Sequence, residues 1–178
     1  MKLRAYTLTA MFAASALGVA CSSPDTTARV DPIGPDLAQF KAVAPMLVRR
    51  CGSIDCHGST FRNFRLYGYG GTRLLPGNRP DFPASLGAEE VRANYEAVIG
   101  LEPEMMRDVV TAGGAGYERL SIVRKGRNDE DHKGGQRIKH DDDADICLLS
   151  WLSSTTKVDA CNKASCVTPT GTIEACEP

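Results

Sequence analysis

The sequence predicts a small, mainly α-helical domain with long loops and a disulfide-stapled C-terminal tail. Three observations predict it. Apolar residues recur at helical spacing in three separate stretches, the segments between them are rich in glycine and proline without a sustained period, and cysteines gather after the last periodic stretch.

The first helix is read from Leu37, Phe40, Val43, Ala44, Leu47 and Val48, with Asp36 as its N-cap and Pro45 as a kink or a second start. It runs directly into Cys51. From Gly58 to Pro83, glycine, proline and arginine alternate with Phe61, Phe64, Leu66, Tyr67, Tyr69 and Phe82, which reads as an ordered loop wrapping aromatics around something. A second helix is expected from about Ala88 to Ile99, with Glu89 and Glu90 in its first turn, Val91, Tyr95, Val98 and Ile99 on one face, and Gly100 at its end. The last helix begins among Asp141, Asp142 and Asp143 and buries a face of Ala144, Cys147, Leu148, Trp151 and Leu152. Beyond Ser153 lies a Thr- and Ala-rich tail with too few large apolar residues to hold itself down without covalent help.

The first twenty residues carry Lys2 and Arg4 followed by an uncharged, mostly apolar run from Ala10 to Ala20, the pattern of a signal peptide. The run is shorter than the roughly 20 apolar residues of a spanning helix. Cys21 directly after Gly18, Val19 and Ala20 resembles a lipobox, where the leader is cut and the new N-terminal cysteine is lipidated, although Leu17 stands one place further back than usual. The other reading is an ordinary secretory peptide cut later. The expected organisation is therefore a signal peptide (1–20), a lipidated flexible spacer rich in Ser, Thr, Asp and Pro (21–35), a folded domain (36–153) and a Cys-rich tail (154–178). A lipid anchor at Cys21 places the domain at the cell envelope, periplasmic or on the outer-membrane surface.

The net charge of −1 becomes −3 once Lys2 and Arg4 are removed, and the basic residues are scattered, so nucleic acid is not an expected partner. No G-x-x-x-x-G-K-[ST], G-x-S-x-G or H-E-x-x-H string occurs, which removes the commonest nucleotide-binding and hydrolase signatures. The Asp141–Asp145 run lacks the glycine and distal glutamate of a calcium loop and reads as a helix start.

Chemistry concentrates in Cys51-Gly52-Ser53-Ile54-Asp55-Cys56-His57. Two thiols followed at once by an imidazole are what covalent haem requires, because each sulfur forms a thioether with a vinyl group and the adjacent histidine reaches the iron. The usual spacing is C-x-x-C-H; here it is the wider C-x-x-x-x-C-H. Of the seven cysteines, Cys21 is assigned to lipid and Cys51 and Cys56 to one haem c. Cys147, Cys161, Cys166 and Cys176 remain as an even set, read as two structural disulfides with three possible connectivities.

Phe40, Val43, Pro45 and Leu47 leading into Cys51, then Cys56-His57-Gly58, His132-Lys133-Gly134-Gly135, and Asp143, Leu149 and Trp151-Leu152 carry a resemblance to exported cytochrome-c-like lipoproteins of the myxobacterial and planctomycete type. It spans roughly residues 36–153. The resemblance implies a cytochrome-c-like helical domain, a mono-haem electron carrier and not an enzyme, with envelope redox proteins as partners. His57 would be the proximal ligand. For the distal position Met105, Met106, His132 and His140 are the candidates; His132 is favoured by its glycine-flanked loop and the shared H-K-G-G string, with Met105 or Met106 as runner-up. An open sixth site is a further option, and His140, beside three aspartates, reads as a surface imidazole.

Two haem-free readings compete. A Cys51–Cys56 disulfide would make a cross-linked envelope binding or structural module, leaving His57 accidental. A zinc site from Cys51, Cys56 and two of His57, His132 and His140 has suitable ligand types but suits an oxidising compartment less well.

Overall fold

A computed structural model describes residues 32–75 and 85–166. The signal peptide, Cys21, most of the 21–35 spacer, Phe82 and Cys176 lie outside the described residues. The chain parts into two units between Asp31 and Pro32, and the second unit holds everything described below.

The described residues contain six α-helices, one 3-10 turn and no strand, as the mainly α fold class requires. They are α1 (Leu37–Cys51), α2 (Ala88–Ile99), α3 (Pro103–Thr111), a 3-10 turn (Tyr117–Arg119), α4 (Ser121–Arg127), α5 (Asp143–Leu152) and α6 (Val158–Ser165).

Helix α1 starts where the sequence places it: the Asp36 carboxylate accepts the Ala38 N–H at 2.8 Å, satisfying one of the orphan donors of the first turn. It runs through Pro45 as one helix and buries Phe40, Val43, Ala44, Met46, Leu47 and Val48. Phe40 packs against Trp151 of α5 at 5.0 Å between ring centres and against Tyr95 of α2 at 5.5 Å. Both partners are also tied to the strand of chain entering α1, since Tyr95 donates to the Pro35 carbonyl (2.8 Å) and the Trp151 indole to that of Asp36 (3.4 Å). Aromatic rings that bury their bodies and satisfy their polar tips lock α1, α2 and α5 into one core.

Helix α6 packs against α1 and α5 and falls within the stretch read as tail. Its buried side is made of small residues, Ala160, Cys161, Ala164 and Ser165, and Cys161 is bridged to Cys147 on α5. Small side chains let the helix approach closely while contributing little apolar area, so covalent attachment carries much of the docking. Cys166 is also disulfide-bonded.

Helix α2 has a second, polar buried function. Glu90 and Asn94, four residues apart and both fully buried, point at the backbone of the 58–75 loop. The Asn94 amide accepts from the Tyr67 N–H (2.7 Å) and donates to the Tyr67 carbonyl (2.8 Å). Glu90 takes a two-pronged contact from Arg73 (2.7 Å each) and accepts the Leu74 and Gly87 N–H groups. Burial alone would raise the Glu90 pKa, but the Arg73 guanidinium and these backbone donors hold the carboxyl below its usual range.

Candidate functional site

The end of α1 delivers Cys51 into a tight loop. The His57 N–H donates to the Cys51 carbonyl (2.9 Å) and the Gly58 N–H to that of Ser53 (2.9 Å), so the seven motif residues fold back over the helix end. The next strand of loop closes over them through Leu66 N–H to His57 O (2.7 Å), Thr72 N–H to Gly58 O (2.8 Å) and Ile54 N–H to Gly70 O (2.9 Å). The chain crosses itself at three glycines. A Cβ on Gly58 would lie 2.1 Å from the Gly52 carbonyl oxygen, and one on Gly71 would lie 2.5 Å from the Gly58 Cα.

This crossing fixes His57. Its Nδ1 lies 3.0 Å from the Phe64 carbonyl, an atom that can only accept, so Nδ1 carries the proton and Nε2 keeps its lone pair. The Phe64 ring packs on the imidazole at 4.8 Å. Burial lowers the His57 pKa; the Phe64 carbonyl opposes that shift, while His132 and Arg62 add to it, and the ring is held neutral. A neutral imidazole with one nitrogen anchored by a carbonyl is the usual state of a metal-binding histidine.

His132 arrives from the loop between α4 and α5. Its ring centre stands 6.0 Å from that of His57, with the planes 12° from parallel. The Gly135 N–H donates to the His132 carbonyl (2.9 Å) with Gly135 in the left-handed region (φ 65°), and Gly134 lies so near the ring that a Cβ there would meet its Cε1 at 2.7 Å. The His132 Nδ1 is buried without a hydrogen-bond partner.

Two clefts flank the histidine pair and share His57, Lys125 and His132. The more polar, of about 320 Å³, adds Cys56, Asp55, Arg62 and Lys133; the more apolar, of about 240 Å³, adds Cys51, Phe64, Leu101 and Ile122. Cys51 and Cys56 are free thiols, not bridged to each other. Burial pushes the Cys51 thiol up to about 12, against the pull of Arg137 and with a further rise from Cys56.

The other sequence candidates lie elsewhere. Met106 is buried in the core and Met105 lines a separate cleft with Glu102, Glu104, Asp108 and Arg119. His140 is on the surface, 3.0 Å from Asp129. Among the described residues no three His, Cys, Asp or Glu side chains gather as a metal site, so the zinc reading lacks its ligand set there. The 58–75 part of the aromatic loop turns Phe64 and Leu66 inward but leaves Phe61 95 % exposed.

Two free thiols and two imidazoles are the donor types that a covalently held haem uses. His57 and His132 stack face to face, Nε2 of His57 is available, and Cys56 lines one cleft and Cys51 the other. Sequence reasoning missed the Phe64 carbonyl, which as a backbone atom leaves no mark in residue type, and Lys125, which lies in a charged helix with no obvious period.

The chain matches no protein-family model, no curated protein and no solved structure. Fold and site together define a small disulfide-bonded helical domain that brings two histidines and two free thiols to one place. No described helix is long and apolar enough to cross a membrane.

Proposed function

We propose that the protein is a mono-haem c-type cytochrome, a lipid-anchored electron carrier of the cell envelope. The observation that carries this reading is the meeting of donor types: His57 and His132 stack with ring centres 6.0 Å apart, and the two clefts they share are lined by the free thiols Cys56 and Cys51. Cys51 and Cys56 would hold the haem by thioethers, and His57 and His132 would bind its iron. Bound haem supplies reversible one-electron chemistry. The protein's own part is to bind and orient: the Phe64 carbonyl fixes the His57 tautomer, the lack of a side chain at Gly134 makes room for the His132 ring, and Phe64, Leu101 and Ile122 line the apolar cleft beside Cys51.

Two imidazole ligands give a lower reduction potential than a His/Met pair, because the thioether of methionine favours the reduced iron. Partners of this carrier are redox proteins of the envelope, and the membrane is reached through lipid on Cys21. Intact-mass spectrometry under denaturing conditions, on protein made together with c-type maturation machinery, tests the attachment. The wild type should carry the added mass of one haem and Cys51→Ala/Cys56→Ala should carry none; an unmodified wild-type mass refutes the proposal.

A further inference from the structure

His132 is delivered by the loop 128–142 between α4 and α5, and its place beside His57 depends on what closes that loop. The neck is narrow. On one side α4 ends at Arg127; on the other the chain returns to α5 at Asp143. The Arg137 and Ile138 N–H groups donate to the Gly126 carbonyl (2.9 and 3.0 Å), and the Gln136 amide donates to the Arg127 carbonyl (3.1 Å). Beneath them the Arg127 guanidinium grips both oxygens of Asp145 (2.8 and 2.7 Å), with side-chain exposures of only 7 % and 2 %. The same Asp145 carboxylate accepts the Asp141 N–H (3.0 Å), and the Arg127 guanidinium lies over the Tyr117 ring at 5.3 Å.

We infer that Arg127 and Asp145 form a positioning clamp, which joins the two ends of the 128–142 loop and thereby sets His132 against His57. The inference rests on the proposed haem site for its function. Its physical basis is independent of haem. A two-pronged, nearly dry guanidinium–carboxylate contact has one good geometry, so it transmits the placement of α5 to the end of α4. Arg127 is bonded to Asp145 and, through its carbonyl, to Gln136 of the loop, so its action on the site runs through the loop.

The test uses the full chain with Arg127→Met and Asp145→Leu together, since removing both charges avoids stranding one in the core. Circular dichroism first establishes that the helices persist. In haem-loaded protein the double variant should retain haem on a denaturing gel yet lose the six-coordinate low-spin spectrum, as His132→Ala does; Arg92→Met, which breaks an exposed pair, should change neither. In haem-free protein, amides 129–140 should exchange about tenfold faster or more, while those of α1 and α2 keep their protection. A folded double variant with an unchanged spectrum and unchanged loop exchange overturns the clamp. If even the wild type takes no haem, the proposed function fails and the exchange result alone decides: acceleration confined to the loop supports the clamp, while none, or a uniform rise, overturns it. Should the double variant not fold, Arg127→Lys carries the same expectation with a smaller acceleration, because lysine keeps the charge but lacks the fork.

Discussion

The Nδ1–H of His57 donates to the carbonyl of Phe64 across seven residues of chain, and this one bond decides which nitrogen the site can offer. The bond exists because the 58–75 loop crosses back over the motif, and the loop is held there by two buried polar side chains of α2, Glu90 and Asn94. A core helix thus acts on the imidazole through the loop that carries the Phe64 carbonyl.

The crossing depends on Gly58. Its substitution by alanine places a methyl group 2.1 Å from the Gly52 carbonyl oxygen and 2.8 Å from the Gly71 Cα, and both obstacles are backbone. Gly58→Ala should cost about 3 kcal/mol of stability, as overpacking against an immovable wall does. Gly113→Ala, which meets no atom within 4 Å but keeps a positive φ, should cost less. Urea unfolding of both variants measures the difference.

The Arg73–Glu90 contact gives the fold an acid-sensitive element. The folded-state pKa of Glu90 is lowered, so its contribution to stability is present above the ordinary carboxylate value of 4.5 and is lost as pH falls from there through the folded value. Arg73→Met strands the buried carboxylate and should cost about 3 kcal/mol at pH 7. Part of that cost should disappear at pH 4, where protonating Glu90 relieves the stranded charge. Denaturant midpoints of wild type and variant at the two pH values check the sign.

Helices α1, α2 and α5 were legible because each presents several large apolar residues at helical spacing and a marked start: Asp36, Glu89 with Glu90, and the Asp141–Asp143 run. Helices α3, α4 and α6 were not. Pro103 at the first turn of α3 reads equally as a loop signal, α4 is seven residues with four of them Arg, Lys or Gly, and α6 buries only Ala, Cys and Ser. In the site, Cys51, Cys56 and His57 stand out because the chemistry is contiguous in sequence. The approach of His132 depends on contacts between α4, α5 and a glycine turn, and Asp145 looked like one more acid at a helix start while serving as the buried partner of Arg127.

The Cys147–Cys161 bridge closes a short loop, its ends 14 positions apart in sequence. Replacing both cysteines by alanine should lower stability by about 3 kcal/mol through the freed unfolded chain and should release α6 first. Thermal melts, with hydrogen exchange at residues 158–165, read both effects.

In haem-free protein the Cys51 thiol, pushed up to about 12, stays protonated at neutral pH and should resist alkylation. Iodoacetamide at pH 8 should label Cys51 slowly in the folded protein and readily in urea, as peptide mass spectrometry can follow. Rapid labelling of folded Cys51 would contradict the burial that raises its pKa.

The proposed carrier depends on one iron bound by His57 and His132, and the visible spectrum of protein purified with c-type maturation machinery tests it most directly. The predicted result is a low-spin, six-coordinate haem spectrum whose Soret band survives denaturation in the wild type, and which changes spin state in His132→Ala but not in Met105→Leu or Met106→Leu. A colourless wild-type protein, or a His132→Ala spectrum identical to that of the wild type, would contradict it.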